Sequence, residues 1–497
     1  MKLTRIALAV AAVAATPVFA ATGSLTALYG VPASNLVYVS GASALSGSLA
    51  AVVGTVCDGG SANVKVLTIG GSTSDGRVAV CTTKSPAGGQ FAQPFAVVKR
   101  DTDGSFAGVG PVIAQTALTK WADVNSCDNV ALSCALDSST AIVPHAGLTD
   151  VDSKVWIGLR NTNALSQPVP TATGNTTFNG GFAGQGFGVM ASEELYKAMQ
   201  TVQINDGRLP GSCTVGDLTP GQCQPSIAKE EYAAIADDSG FNYVTSLLSG
   251  ANNPLTGDMN PVNLCRRVET SGTQASSNVY FLANPCANTS PTLGFKNPRK
   301  ADFAGGTAVA FDSSNGDKVT GNYDDLGGIF GVFEGSGTGD ARNCVIRRNG
   351  GKNPNDVADA LGTYAIGWIS LENAPAAGWK LLKLDGVSPN AYQVVVGSAE
   401  DGAVVDGWAQ DSTQRITTVR GLYDAAPELE MLWPKASGFK TFLEDLRDAF
   451  GNPVAVNTRG IFQANKPSLG FTHAAFPTQV HKGTRNGNFC APQILAE

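Results

Sequence analysis

The segment Arg267-Val268-Glu269-Thr270-Ser271-Gly272-Thr273 puts a guanidinium, three hydroxyl side chains and a glycine within seven residues. Placed between a strand and a helix, it would add the first backbone N–H groups of the helix and the positive end of its dipole. Such a set can surround a tetrahedral oxyanion. The arginine supplies charge-assisted bonds and the hydroxyls supply neutral ones. Ser40-Gly41-Ala42-Ser43-Ala44 is a second junction of this kind, at the end of an apolar run. Taken singly, each segment also fits an ordinary helix cap.

Other chemistry-bearing patterns are weaker. Gly335-Ser336-Gly337-Thr338-Gly339 has the glycines of a phosphate loop but not the Lys-Ser/Thr ending, and reads as a flexible turn. Asp101, Asp103 and Gly104 lack the later glutamate of a calcium loop and read as a solvated turn. There is no Gly-x-Ser-x-Gly elbow, and His145, His473 and His481 form no recognisable nucleophile and base pair. Trp156, Trp368, Trp379 and Trp408 read as core rather than as a sugar platform. No metal site and no cofactor are expected.

The elements that must position these residues alternate between short apolar strands and helices, which points to an α/β chain with mixed, largely parallel sheets. Strands are expected at Asn35–Gly41, Phe95–Arg100, Gly186–Ala191, Tyr364–Leu371 and Trp379–Leu384. Helices are expected at Ala42–Val56, Ser192–Gln203, Ala228–Asp237, Thr273–Ala283, Asn355–Leu361 and Phe439–Phe450. Stretches rich in Gly, Asn, Ser and Thr, Ser166–Gly184 and Ala301–Gly328, read as surface loops.

The chain of 497 residues is 43% hydrophobic, enough for a sizeable core and for more than one globular unit. It carries 34 Lys and Arg against 41 Asp and Glu, with no basic run, which argues against a nucleic-acid partner. Lys2 and Arg5, the apolar stretch Ile6–Thr16 and small residues at Val18-Phe19-Ala20 read as a signal peptide over residues 1–20. Cleavage would leave 32 − 41 = −9 charges on an exported chain. No later apolar stretch is long enough to span a membrane.

Ten cysteines, an even number, suit an oxidising compartment. Proximity in sequence suggests Cys57 with Cys81, Cys127 with Cys134, Cys213 with Cys223 and Cys265 with Cys286, leaving Cys344 with Cys490. Sequence alone does not fix the pairing.

Taken in order, these segments resemble the periplasmic phosphate-binding proteins of phosphate ABC importers. Gly41-Ala42-Ser43-Ala44 is similar to that family's opening turn, and Val98-Lys99-Arg100 with Gly104-Ser105 and Gly108-Val109 to its next strand and glycine-rich turn. Gly147-Leu148-Thr149-Asp150 resembles its Gly-x-Ser-Asp element, and Ser226–Ile235 its helix before the central strand. Arg267–Thr273 resembles Arg-x-Asp-Gly-Ser-Gly-Thr, with Glu269 for Asp and Thr270 for Gly. Ala365–Trp368 and Lys383–Pro389 resemble the returning strand and hairpin. Ser72 is a loose counterpart of a further serine contact.

The resemblance implies a two-lobed type II periplasmic-binding-protein-like fold. Residues 21–186 would form the first part of lobe one, 187–364 lobe two, and 365–497 the return to lobe one with a C-terminal extension. It implies ligand contacts from Ser43, the Ala44 amide and Asp150 in lobe one, and from Arg267, Glu269, Ser271, Gly272 and Thr273 in lobe two. The implied function is capture of phosphate or a related oxyanion in the periplasm, or after secretion, for delivery to an importer permease. A secreted scaffold or adhesion protein with a degenerate anion site is the alternative reading, and a secreted phosphatase a weaker one.

Overall fold

The computed structural model describes residues 22–157, 161, 175–236, 247–248, 262–286, 319–325, 330–335, 337–354, 356–358, 361–396 and 404–495. The expected signal peptide lies outside these.

Two mixed sheets carry the fold. The first contains β1 (Thr22–Gly23), β2 (Leu36–Gly41), β3 (Val64–Ile69), β4 (Ser72–Cys81), β5 (Phe95–Arg100), β6 (Trp121–Asp128), β7 (Ser133–Asp137), β8 (Ala146–Thr149) and β9 (Thr176–Gln185). The second contains β10 (Phe187–Ser192), β11 (Asn263–Arg267), β12 (Val319–Asp325), β13 (Phe330–Gly335), β14 (Ala365–Ser370) and β15 (Trp379–Leu381). The chain then rejoins the first sheet through β16 (Glu428–Pro434) and β17 (Ile461–Gln463). Strand order is β1-β6-β7-β3-β4-β5-β2-β8-β16-β9-β17 in the first sheet and β12-β13-β11-β14-β10-β15 in the second.

Parallel pairing is concentrated where loops must converge. Strand β2 runs parallel to both β5 and β8, and β11 runs parallel to both β13 and β14. All six residues of β5 and all five of β11 are buried, the pattern of strands covered on both faces. Antiparallel hairpins extend both sheets outward, so parallel pairing is less prevalent than the apolar runs suggest.

Five helices flank the sheets near the site: α1 (Leu49–Thr55), α2 (Glu193–Asn205), α3 (Gly272–Leu282), α4 (Thr338–Asn349) and α5 (Lys440–Phe450). Ser192 caps α2 by accepting from Leu195 N, and Glu193 and Glu194 sit in its first turn. Phe442, Leu443, Leu446, Ala449 and Phe450 form the apolar stripe of α5, which packs with α1 and β2 in the core of the first sheet. A second core joins α2, α3 and α4 to the other sheet. Trp156, Trp368 and Trp379 are buried in it, whereas Trp408 lies under Lys383 Nζ at 4.5 Å.

Several expectations need correction. Strand β14 lies between β11 and β10, so the return expected near residue 365 stays in the second sheet, and β16 is the strand that goes back. A strand buried on both faces shows no alternation that would reveal which sheet it joins. No helix starts at Ala42: a short 3-10 turn, Ser46–Ser48, precedes α1, and the Ser46 hydroxyl donates to Asp101 Oδ1 (2.7 Å). Residues 356–358 are not helical, and Ala358 instead bridges Lys352. The stretches read as loops contain β9 and β12, whose polar residues are recruited by the hydrogen-bonding edges of β16 and β13.

Three disulfides join the expected neighbours, Cys57–Cys81, Cys127–Cys134 and Cys213–Cys223. The other two are Cys265–Cys344 and Cys286–Cys490, not the pairs suggested by proximity. Helix α3 separates Cys265 from Cys286 by about 16 Å of rise, well beyond bridging distance, while α4 packs beside β11 and brings Cys344 to Cys265.

Candidate functional site

The loops following β2, β5 and β8 meet those following β11, β13 and β14. A small polar cavity between them is lined from the first sheet's side by Ser43, Ala44, Gly104, Ser105, Asp150 and Gln185, and from the second's by Arg267, Ser271, Gly272, Thr273, Thr338, Ser370 and Glu372.

On the first side, close backbone packing aims the loops. A Cβ on Gly147 would lie 1.7 Å from the Gly108 carbonyl oxygen, and one on Gly41 2.1 Å from that of Leu148. Only glycine permits this approach, which brings Ser43, Ser105 and Asp150 to one point. Asp150 is buried, and Ser105 Oγ donates to its Oδ2 (3.0 Å). Its Oδ1 is buried with no hydrogen-bond partner among the described residues. Burial raises the Asp150 carboxyl to about 6 despite the Ser105 bond and the nearby Arg267 and Lys99. Behind it, Asp101 is buried against Lys99 Nζ at 2.6 Å, not solvated. Gln185, at the end of β9, is fully buried, and neither its amide nitrogen nor its oxygen has a partner among the described residues.

On the second side, Arg267 ends β11. Its Nη1 donates to Thr338 Oγ1 (2.5 Å), and its N–H donates to Gln274 Oε1 (3.2 Å). Burial lowers the guanidinium to about 10, with Asp150, Asp340 and Glu372 opposing, so it remains charged at neutral pH. Thr270 takes φ +70°, the left-handed conformation that glycine would enter freely, so the turn survives the exchange at a cost in strain. Ser271 occupies the N-cap of α3 without using its side chain as the cap, and the residue lines the cavity. Glu372 is half-buried, and burial followed by the Asp150 charge pushes it to about 7.

The two sides touch. Phe106 N donates to the Thr270 carbonyl (3.1 Å), and Asn278 Nδ2 donates to Asn161 Oδ1 (2.7 Å). A Cβ on Gly272 would lie 2.3 Å from Ser105 Oγ and 2.6 Å from Asp150 Oδ2. Gly272→Ala is therefore expected to overpack the contact between the halves while sparing each half. At about 1–3 kcal/mol, anion affinity should fall about 5- to 150-fold with thermal stability nearly unchanged, as titration beside a melting curve would show.

Of the residues singled out from sequence, Ser43, Ala44, Asp150, Arg267, Ser271, Gly272 and Thr273 line the cavity, with Ser43 exposed at its rim. Glu269 lies in the turn before α3 and is not part of the lining. Ser72 begins β4 in a hairpin and is likewise outside the lining, while Ser105 is the serine that meets Asp150. Gln185, Ser370 and Glu372 carried no motif. Thr338 belongs to the glycine-rich segment read as a flexible turn, which is instead the junction into α4, with Asp340 Oδ2 accepting from Gly337 N (2.5 Å). Among the described residues, no cluster of three His, Cys, Asp or Glu could hold a metal ion, and no helix is long and apolar enough to cross a membrane.

The sequence matches no known family profile and no curated protein. Among solved structures it is similar to a protein described as a phosphate ABC transporter substrate-binding protein with bound phosphate from Clostridium perfringens, at 10% identity over 86% of this chain and 99% of that one, with a TM-score of 0.39. It is also similar to PstS from Borrelia burgdorferi, at 10% identity over 87% and 100% of the two chains and a TM-score of 0.34. An ABC-type phosphate transport receptor from Vibrio cholerae overlaps 61% of this chain and 74% of its own, at 10% identity and a TM-score of 0.26. At TM-scores this low, it is the site's own residues that bear on function.

Proposed function

We propose that the protein is an exported solute-binding protein that closes two α/β halves on phosphate or a related tetrahedral oxyanion and delivers it to an ABC importer permease. The observation that carries this reading is the placement of Asp150 and Arg267, from opposite halves, on one small polar cavity. Arg267 and the hydroxyls of Ser271, Thr273 and Thr338 supply donors to anionic oxygens, and the first amides of α3 add the helix dipole. Asp150 accepts the hydrogen of a protonated ligand oxygen. Closure excludes water, which strengthens each of these bonds.

The reading is tested by competition between phosphate and sulfate near pH 7. Sulfate brings no proton for Asp150 and leaves an ionised carboxylate facing its oxygens, so the native protein should prefer phosphate by at least about 100-fold. Asp150→Asn exchanges an acceptor for an amide that can donate, and should narrow the preference to about tenfold or less. Equal affinity for both ions in the native protein would count against the reading.

A further inference from the structure

We propose that Glu372 is a second proton-holding acceptor at the anion site, paired with Asp150, so that the pocket takes a tetrahedral oxyanion together with a proton and favours its singly charged, doubly protonated form. This rests on the oxyanion-binding function proposed above and adds the protonation state of the ligand.

The argument begins with the charges on the cavity wall. Among the described residues Arg267 is the one cation lining it, and it faces two carboxyls, Asp150 and Glu372. With both ionised, the wall would be net negative and would repel a doubly charged anion. A proton on either carboxyl removes that repulsion.

Hydrogen-bond demand points the same way. Asp150 Oδ1 is a buried acceptor with no donor among the described residues, while the Gln185 side chain leaves both its oxygen and its nitrogen unpaired and so adds a donor as well as an acceptor. Glu372 receives one bond, from Ser370 Oγ at 3.3 Å, and also borders the larger cleft outside the cavity. An ionised Asp150 needs a donor at its buried Oδ1, which one ligand hydroxyl supplies, and a second ligand hydroxyl can be accepted by Glu372, which lines the same cavity.

Glu372 is surrounded by Asp150 beyond β8, Asp101 and its partner Lys99 at the end of β5, and Arg267 at the end of β11. Asp340 at the start of α4 also faces Arg267, and Arg342 of the same helix reaches Asn373 (3.5 Å). Asp75, Arg77, Asp103 and Lys120 line the outer cleft. Burial and the Asp150 charge hold the Glu372 carboxyl near 7, so it titrates in the working range. Raising the pH through that range adds negative charge to the wall, and affinity must fall.

The test is calorimetry with inorganic phosphate and with sulfate, from about pH 6 to pH 8, in buffers of different protonation enthalpy. Native protein, Glu372→Gln, Glu372→Asp and Asp150→Asn are compared. Native protein should take up close to one proton per phosphate at the alkaline end, with affinity falling by up to about tenfold per pH unit. Sulfate stays doubly charged throughout, so its binding should strengthen on acidification by the protein's own protons alone.

Glu372→Gln mimics the protonated side chain at the same size. It should still bind phosphate within about threefold at the acid end, show a flatter profile and gain sulfate affinity at the alkaline end. Glu372→Asp should keep the proton uptake. A Glu372→Gln profile superimposable on the native one, with phosphate still bound, would overturn the role of Glu372 and leave the binding function standing. No phosphate binding by native protein even at the acid end would overturn both.

Discussion

Arg267→Ala is expected to lower phosphate affinity by about 30- to 4,000-fold, the equivalent of roughly 2–5 kcal/mol for truncating one member of a buried charge pair. The size follows from its position. Arg267 is the one cation on the cavity wall among the described residues, and its charge partly offsets the burial that holds Asp150 near 6. Without it Asp150 would retain its proton to higher pH, and the wall would offer an anion only hydroxyls and amides. Arg267→Lys should fall between, because the charge remains while the fork that holds Thr338 and an anionic oxygen together is lost. Titration of the three proteins with phosphate, alongside melting curves showing that the buried position still folds, checks the order native, lysine, alanine.

The second large effect concerns stability. The Cys286–Cys490 bond joins residues 204 apart, whereas Cys127–Cys134 joins residues seven apart. In the chain-entropy account the first stabilises by about 5 kcal/mol and the second by about 2–3 kcal/mol, through restriction of the unfolded chain. The long bond also fixes the C-terminal segment, whose Phe489 enters the core of the second sheet. Replacing Cys286 and Cys490 together by serine should therefore shift the urea midpoint much further than replacing Cys127 and Cys134. Equal shifts would show that local packing, not the length of the closed loop, sets the value of these bonds.

The part of the site legible in the sequence is the part carried by contiguous residues. Arg267, Ser271, Gly272 and Thr273 lie within one strand-to-helix junction, so their types and spacing announced both the element and its chemistry. Asp150 and Ser43 became legible through the order of short segments. Gln185 and Glu372 were not, because each reaches the cavity from a strand end whose sequence neighbours are unremarkable, and only the pairing of distant strands places it there. The same limit explains the disulfides. Cys265 and Cys286 are near in sequence but lie on opposite ends of α3, while Cys344 arrives on a helix 79 residues later.

Fold class was legible from alternating strands and helices, but the assignment of β14 was not. Its six buried residues suit a central strand in either sheet. Strand β9 was hidden for a different reason: the strand-favouring Thr176-Thr177-Phe178 runs straight into Asn179-Gly180-Gly181, which reads as a turn, and the segment is ordered by pairing with β16.

The most direct test is calorimetric titration of the protein, stripped of bound ions by partial unfolding and refolding, with inorganic phosphate near pH 7. A buried, charge-assisted site between two halves predicts one phosphate per chain at micromolar affinity or tighter, abolished by Arg267→Ala. Phosphate that produces no binding heat, or binding that survives unchanged in Arg267→Ala, would contradict the assignment of this cavity as the oxyanion site.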